Sequence, residues 1–207
     1  SDFAGSTLVH SCGGAAALAG VILLGPRLGR FKNGSVKPMK PFAASSIPLA
    51  TLGVFILWMG WFGFNGGSQL ALGTLDDSIS ISKIFINTNL AACGGVMMNA
   101  ALTRLLYGRT DVIHMLNGAI AGLVAITAEP LTPSPFVAIL IGGMGGVIAV
   151  FGTRLLYKFK IDDVVGAIPA HLFAGIWGTL AVPITNSEVT FSSQLIGIVS
   201  INVFVFV

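Results

Sequence analysis

Two histidines, His10 and His171, lie inside apolar stretches, each eight residues after an aspartate. The stretches read Asp2-Phe-Ala-Gly-Ser-Thr-Leu-Val-His10 and Asp163-Val-Val-Gly-Ala-Ile-Pro-Ala-His171. An ionisable side chain at membrane depth is costly and by default marks a pathway rather than packing. Imidazole suits such a pathway: the neutral ring carries one donor and one acceptor nitrogen, and it takes or passes a proton near neutral pH. Two such rings in matching contexts are the chain's strongest sign of a pathway.

The elements that must position them are membrane helices. Of the 207 residues, 54% are hydrophobic and 9% charged, and several apolar runs reach or approach the span needed to cross a bilayer. That span is about 20 residues for a hydrocarbon layer of about 30 Å. A β-barrel would instead show short alternating segments. The fold class is all-α, a polytopic transmembrane helical bundle. Helices are predicted at about 3–25, 47–71, 83–107, 113–129, 136–157, 163–184 and 192–207. With no initiator Met, no signal peptide, and an apolar run reaching Val207, residues 1–207 are expected to be one transmembrane domain from within a longer protein.

Charge sets the orientation. The first connection carries Arg27, Arg30, Lys32, Lys37 and Lys40, the third Arg104 and Arg109, and the fifth Arg154, Lys158 and Lys160. The second, fourth and sixth carry Asp76 and Asp77, Glu129, and Glu188, with Lys83 the basic exception. The positive-inside rule places the basic connections in the cytoplasm. The first helix then runs inward and the sixth outward. At 1.5 Å per residue each histidine lies ~12 Å from its aspartate, so both converge near the midplane from opposite directions. Related segments of opposite topology with functional groups at that depth indicate an inverted-repeat transporter.

The remaining residues receive plainer readings. Gly13, Gly14, Gly20, Gly142, Gly143, Gly145 and Gly146 allow close helix packing. Pro48 sits harmlessly near a helix start, whereas Pro169 inside the sixth helix can kink it beside His171. Cys12 and Cys93 read as small buried core residues without metal-ligand spacing, His114 as structural or interfacial, and Trp58 and Phe62 as core or lipid contacts. Trp61 and Phe64 are three apart and share a helix face. No metal constellation or nucleophile triad is apparent, which argues against an enzyme.

Taken together, Asp2 to His10, the run Gly60-Trp61-Phe62-Gly63-Phe64-Asn65-Gly66-Gly67-Ser68, the stretch Asn117 to Thr127, and Asp162-Asp163 followed by His171 resemble the ammonium transporter family (Amt/MEP/Rh). The resemblance covers essentially the whole chain and favours the Amt branch. It implies part of an eleven-helix inverted-repeat fold, helices five to eleven, assembled as a homotrimer in the plasma or bacterial inner membrane. His10 and His171 match the family's twin pore histidines, Phe64 the inner Phe of its gate, Trp61 a pore-lining Trp, and Ser68 the hydroxyl that receives ammonium at the outer vestibule. Asp2 matches a buried acid that steadies the recruitment site and its helix, and Asp163 stands in the corresponding place before His171. Two departures, Gly166 where many members carry an acid and Leu172 where Gly is common, bear on the inner vestibule.

The implied chemistry separates ammonium from potassium, since only ammonium can lose a proton. An aromatic vestibule holds the cation, and a narrow apolar lumen then favours neutral ammonia. The implied partners are ammonium or ammonia (with methylammonium as analogue), membrane lipid, and a cytoplasmic regulator of the PII type; no cofactor and no nucleic acid is implied. Two rival readings are an ammonium sensor fused to a signalling domain and an Rh-type ammonia channel.

Overall fold

The structure, a computed structural model, describes residues 1–31, 42 and 44–206; Lys32, Lys37, Lys40 and Val207 lie outside them. Among the described residues seven helices follow one another: α1 (Ser6–Leu24), α2 (Ile47–Gly67), α3 (Leu75–Tyr107), α4 (Val112–Ile126), α5 (Pro135–Lys158), α6 (Ile168–Thr185) and α7 (Phe191–Phe206). Five of them are long and apolar enough to cross a membrane; α4 and α7 are shorter apolar helices.

The helix starts follow from capping chemistry. The first N–H groups of a helix lack intrahelical partners, and Ser, Thr, Asp and Asn side chains supply acceptors. Ser46 accepts from Leu49 N–H before α2, with Pro48 in the first turn where no donor is needed. Asp111 and Ser134 cap α4 and α5. Thr74 and Asp77 form a reciprocal capping box, so α3 begins at Leu75 and not at residue 83. Asp76 and Asp77 therefore belong to its first turn and Lys83 to its body. At 33 residues α3 is about 50 Å long, more than a bilayer's hydrocarbon thickness.

Other boundaries also move. α2 ends at Gly67 instead of 71, α4 at Ile126 instead of 129, and α6 begins at Ile168 instead of 163. Pro169 consequently lies in the first turn of α6, where its missing N–H disrupts no ladder. The proline inside the helix is Pro183.

The core is α3, α4 and α5 in tight contact, with α4 at the centre: every residue from Gly118 to Ile126 is buried. A helix apolar on all sides belongs in such a place. Glycine makes this packing possible. A methyl group on Gly142 would collide with the backbone of Ala91, and one on Gly146 with the backbone of Gly95. The close approach expected of Gly13 and Gly20 is not seen among the described residues, where an added methyl meets nothing within 4 Å. Cys12 and Cys93 are free thiols but only half-buried, so neither is the core residue expected.

Candidate functional site

Both histidines sit in the first turns of their helices, and both of those turns are π-wound: Ser6–Ser11 in α1 and Ile168–Phe173 in α6. His10 N–H reaches back five residues to Gly5 C=O (3.1 Å), and Ala174 N–H likewise reaches Pro169. Single π turns inside α-helices concentrate at functional sites, where the extra residue per turn re-aims a side chain.

The two aspartates explain how these turns are held. Asp2 accepts from the backbone N–H groups of Ser6 (2.7 Å), Thr7 (2.9 Å) and Leu8 (2.9 Å). Asp163 accepts from Gly166 and Ala167 (3.0 Å each), from Ile168 (2.8 Å) and more weakly from Val165 (3.3 Å). Each carboxylate is thus a cap for the turn that carries a histidine. Part of the eight-residue spacing is loop and cap rather than helix, so the ~12 Å depth obtained for a continuous helix does not carry over.

The histidines meet. His10 Nδ1 and His171 Nδ1 are 3.3 Å apart, which is a hydrogen bond when one ring carries its proton on that nitrogen and the other does not. His10 stacks on Trp61 with ring centroids 4.9 Å apart and planes 18° from parallel, and Phe64 lies 5.4 Å from it. Trp61 and Phe64 also touch each other, 5.8 Å between centroids, so they share the face expected of them. His10 Nε2 is buried and has no hydrogen-bond partner among the described residues. A buried imidazole nitrogen without a partner is an opening for a small polar molecule. A cavity of about 240 Å³ adjoins the pair, lined by Val9, His10, Gly13, Gly14, Ala167 and His171.

Trp61 is fixed from behind by a polar chain that sequence reasoning missed. Its indole N–H donates to Thr127 Oγ1 (2.9 Å), Thr127 donates to Leu123 C=O (2.7 Å), and Asn65, next to Thr127, donates to Thr88 Oγ1 (3.0 Å). Asn65, Thr88 and Thr127 are all buried. The usable signal was that a buried tryptophan needs a partner for its N–H.

The other candidates stand apart from the pair. Ser68 caps the end of α2, one turn beyond Phe64, and its hydroxyl donates to Phe64 C=O (2.7 Å). His114 lies in the first turn of α4, its backbone N–H capped by Asp111 and its ring 6.1 Å from Tyr107. Trp58 donates to Asn89, and Phe62 packs on Phe85. Gly166 has φ +81°, and a side chain there would collide with the Asn117 amide, so an acid does not fit this loop. Leu172 is buried against α1.

A second missed cluster occupies the basic end of the bundle. Asp162 is buried, and it accepts from Arg27 and Arg30. The hydrogen bonds from Arg27 hold its carboxyl below the usual carboxylate range against the opposing effect of burial, and the same contact raises Arg27.

The model of the Ammonium Transporter Family matches residues 1–205. A putative ammonium transporter of Synechocystis is 45% identical over 201 residues, 95% of this chain and 45% of the relative. Ammonium transporter Amt2 of Archaeoglobus fulgidus is 48% identical over 183 residues, 88% of this chain and 38% of the relative. Among solved structures, a protein described as a sensor Amt protein superposes with TM-score 0.92 at 34% identity, covering 99% of this chain and 52% of its own. Mep2 of Candida albicans superposes with TM-score 0.85 at 26% identity, covering 99% and 48%. The chain therefore spans about half the length, or less, of the proteins it matches. A multi-pass helical bundle with this family's model matched over nearly its whole length has one classification: the chain belongs to the ammonium transporter family.

Proposed function

We propose that the protein carries ammonium-derived nitrogen across a cell membrane, plasma or bacterial inner, and that His10 and His171 line its path. The observation that carries this reading is the His10–His171 contact at 3.3 Å, with His10 stacked on Trp61 and its Nε2 left without a partner. Ammonium is received at the outer vestibule, where Ser68 accepts a hydrogen bond from it and aromatic faces attract the cation. Deprotonation follows, because an apolar lumen penalises the cation far more than neutral ammonia. Phe64 gates the entrance. Ammonia then passes the histidines, whose nitrogens offer it donor and acceptor in turn, and the pair relays the released proton.

Asp2 and Asp163 serve this path as caps rather than as proton carriers, since their oxygens are taken up by backbone N–H groups. Val9 and Phe64 are partly exposed beside the pair. The working unit is a homotrimer in lipid, with the basic end facing the cytoplasm and a PII-type regulator as partner there; the protein transports and performs no enzymatic reaction.

Uptake of radiolabelled methylammonium by cells expressing the full-length protein tests this. Saturable uptake suppressed by ammonium is expected. Binding of ammonium without flux favours the sensor reading, which the likeness to the sensor Amt protein keeps in view. Flux of ammonia gas without competition by ammonium favours an Rh-type channel.

A further inference from the structure

The carboxylate of Asp162 joins the two histidine-bearing helices at their basic end. Arg27, three residues past α1, donates to it from its backbone N–H (3.0 Å), from Nε (2.7 Å) and from Nη2 (2.9 Å). Arg30 donates from Nε (3.0 Å), and its Nη2 reaches the Tyr157 hydroxyl on α5 (3.0 Å). Asp162 is 4% exposed and Arg30 5%. Topology accounts for exposed basic residues at this end, such as Lys158 and Lys160, but not for the buried Arg30 guanidinium turned inward onto a buried carboxylate that the more exposed Arg27 also holds. Nor is stability a sufficient reason, because the cost of desolvating buried charges offsets much of their attraction.

Its place in the chain suggests another role. Asp162 precedes Asp163, the cap of the π turn that holds His171, and Arg27 lies just past the end of the helix that begins with the π turn of His10. Between these points the two helices touch through Gly14 against Leu172 and Gly175 against Ser11. These glycine contacts, and the apolar packing of Ile168 and Leu172 on Ala15 beside them, bring the helices close but lack the directionality of hydrogen bonds. At the acidic end the Thr7–Thr179 hydroxyl contact (2.6 Å) fixes the register. At the basic end the arginine–aspartate cluster does so. The histidine contact, at 3.3 Å, already lies at the long end of hydrogen-bonding distances, so a slide of about 1 Å breaks it.

We infer that Arg27, Arg30 and Asp162 form a clamp that sets the axial register of α1 against α6 and thereby the contact between His10 and His171. The inference rests on the twin-histidine reading above. The three are positioning residues, and none of them lines the cavity.

The test uses the full-length protein labelled with ¹⁵N-histidine, with wild type beside Asp162→Asn, Arg27→Gln and Arg27→Lys at matched amounts of folded material. Wild type is expected to show the ring-nitrogen signals of an N–H···N contact. Asp162→Asn and Arg27→Gln are expected to lose them, and Arg27→Lys to retain them in part. Methylammonium Vmax falls roughly tenfold or more in the first two, as displacement of reacting groups by about 1 Å can cost a hundredfold, while KM changes less than about twofold. Wild-type ring signals in folded Asp162→Asn overturn the clamp whatever the flux. If that variant does not fold, wild-type signals in Arg27→Gln overturn it equally. The ring signals report the clamp even if wild type moves no methylammonium, an outcome that counts against the transport reading alone.

Discussion

Gly14, four residues after His10, lies against the backbone of Leu172, the residue that follows His171. The converse also holds: Gly175, four residues after His171, lies against Ser11, the residue that follows His10. The two helices therefore cross through reciprocal contacts centred on the histidines. With an aspartate cap and a π turn on each, the correspondence extends over the whole of both helix starts.

Gly14→Ala places a methyl group into the Leu172 backbone. Overpacking of this kind costs about 1–3 kcal/mol, and it pushes the histidine-bearing helices apart. A lower melting temperature of the purified full-length protein and reduced methylammonium uptake are expected. An unchanged melting temperature would show that the helices do not cross here.

Asp163→Ala removes the acceptor for the first N–H groups of α6. Loss of such a cap costs about 1–2 kcal/mol, whereas Asp163→Asn keeps one oxygen and is expected to be milder. Thermal unfolding and uptake of the two variants check the order. Equal behaviour of both would mean that charge rather than capping matters at this position.

Thr127→Val keeps the shape of the side chain but removes the acceptor for the Trp61 indole. A buried donor without a partner costs about 1–3 kcal/mol, and the ring stacked on His10 loses its fixed orientation. With Trp58 and Trp177 replaced by Phe, the emission of Trp61 is expected to shift and uptake to fall. Unaltered emission would remove Thr127 from the account.

Asp162 has its folded-state pKa lowered, chiefly by the Arg27 hydrogen bonds. Its contribution to stability is therefore fully present above the unfolded carboxyl value of about 3.9 and is lost as pH falls toward the lower folded value. Melting curves of wild type and Asp162→Asn should differ by a constant amount above about pH 5 and converge below about pH 4. A difference that grows on acidification would contradict the ion pair.

Periodic and compositional signals were legible. Apolar runs and alternating charge located seven helices, and Asp–His spacing marked the residues that meet. The start of α3 is also written in the chain, as Thr74 and Asp77 three residues apart, but acids between two apolar runs look the same as loop charges and as a cap. The π turns left no local mark, because they depend on caps and tertiary contacts rather than on a residue pattern. The clamp was hidden for a related reason. Arg27 and Asp162 are 135 residues apart, and a basic residue at a helix end looks the same whether it faces water or a buried acid.

The central claim is that His10 and His171 form the conducting element, and one measurement reaches it most directly. Radiolabelled methylammonium uptake into proteoliposomes is compared, at equal protein amount and with excess potassium present, between full-length wild type and the His10→Ala, His171→Ala double variant. Wild type is expected to take up methylammonium despite the potassium, and the double variant to lose flux or selectivity by about tenfold or more, in line with loss of a positioned proton-transfer group. Unchanged flux and selectivity in the double variant would contradict the account.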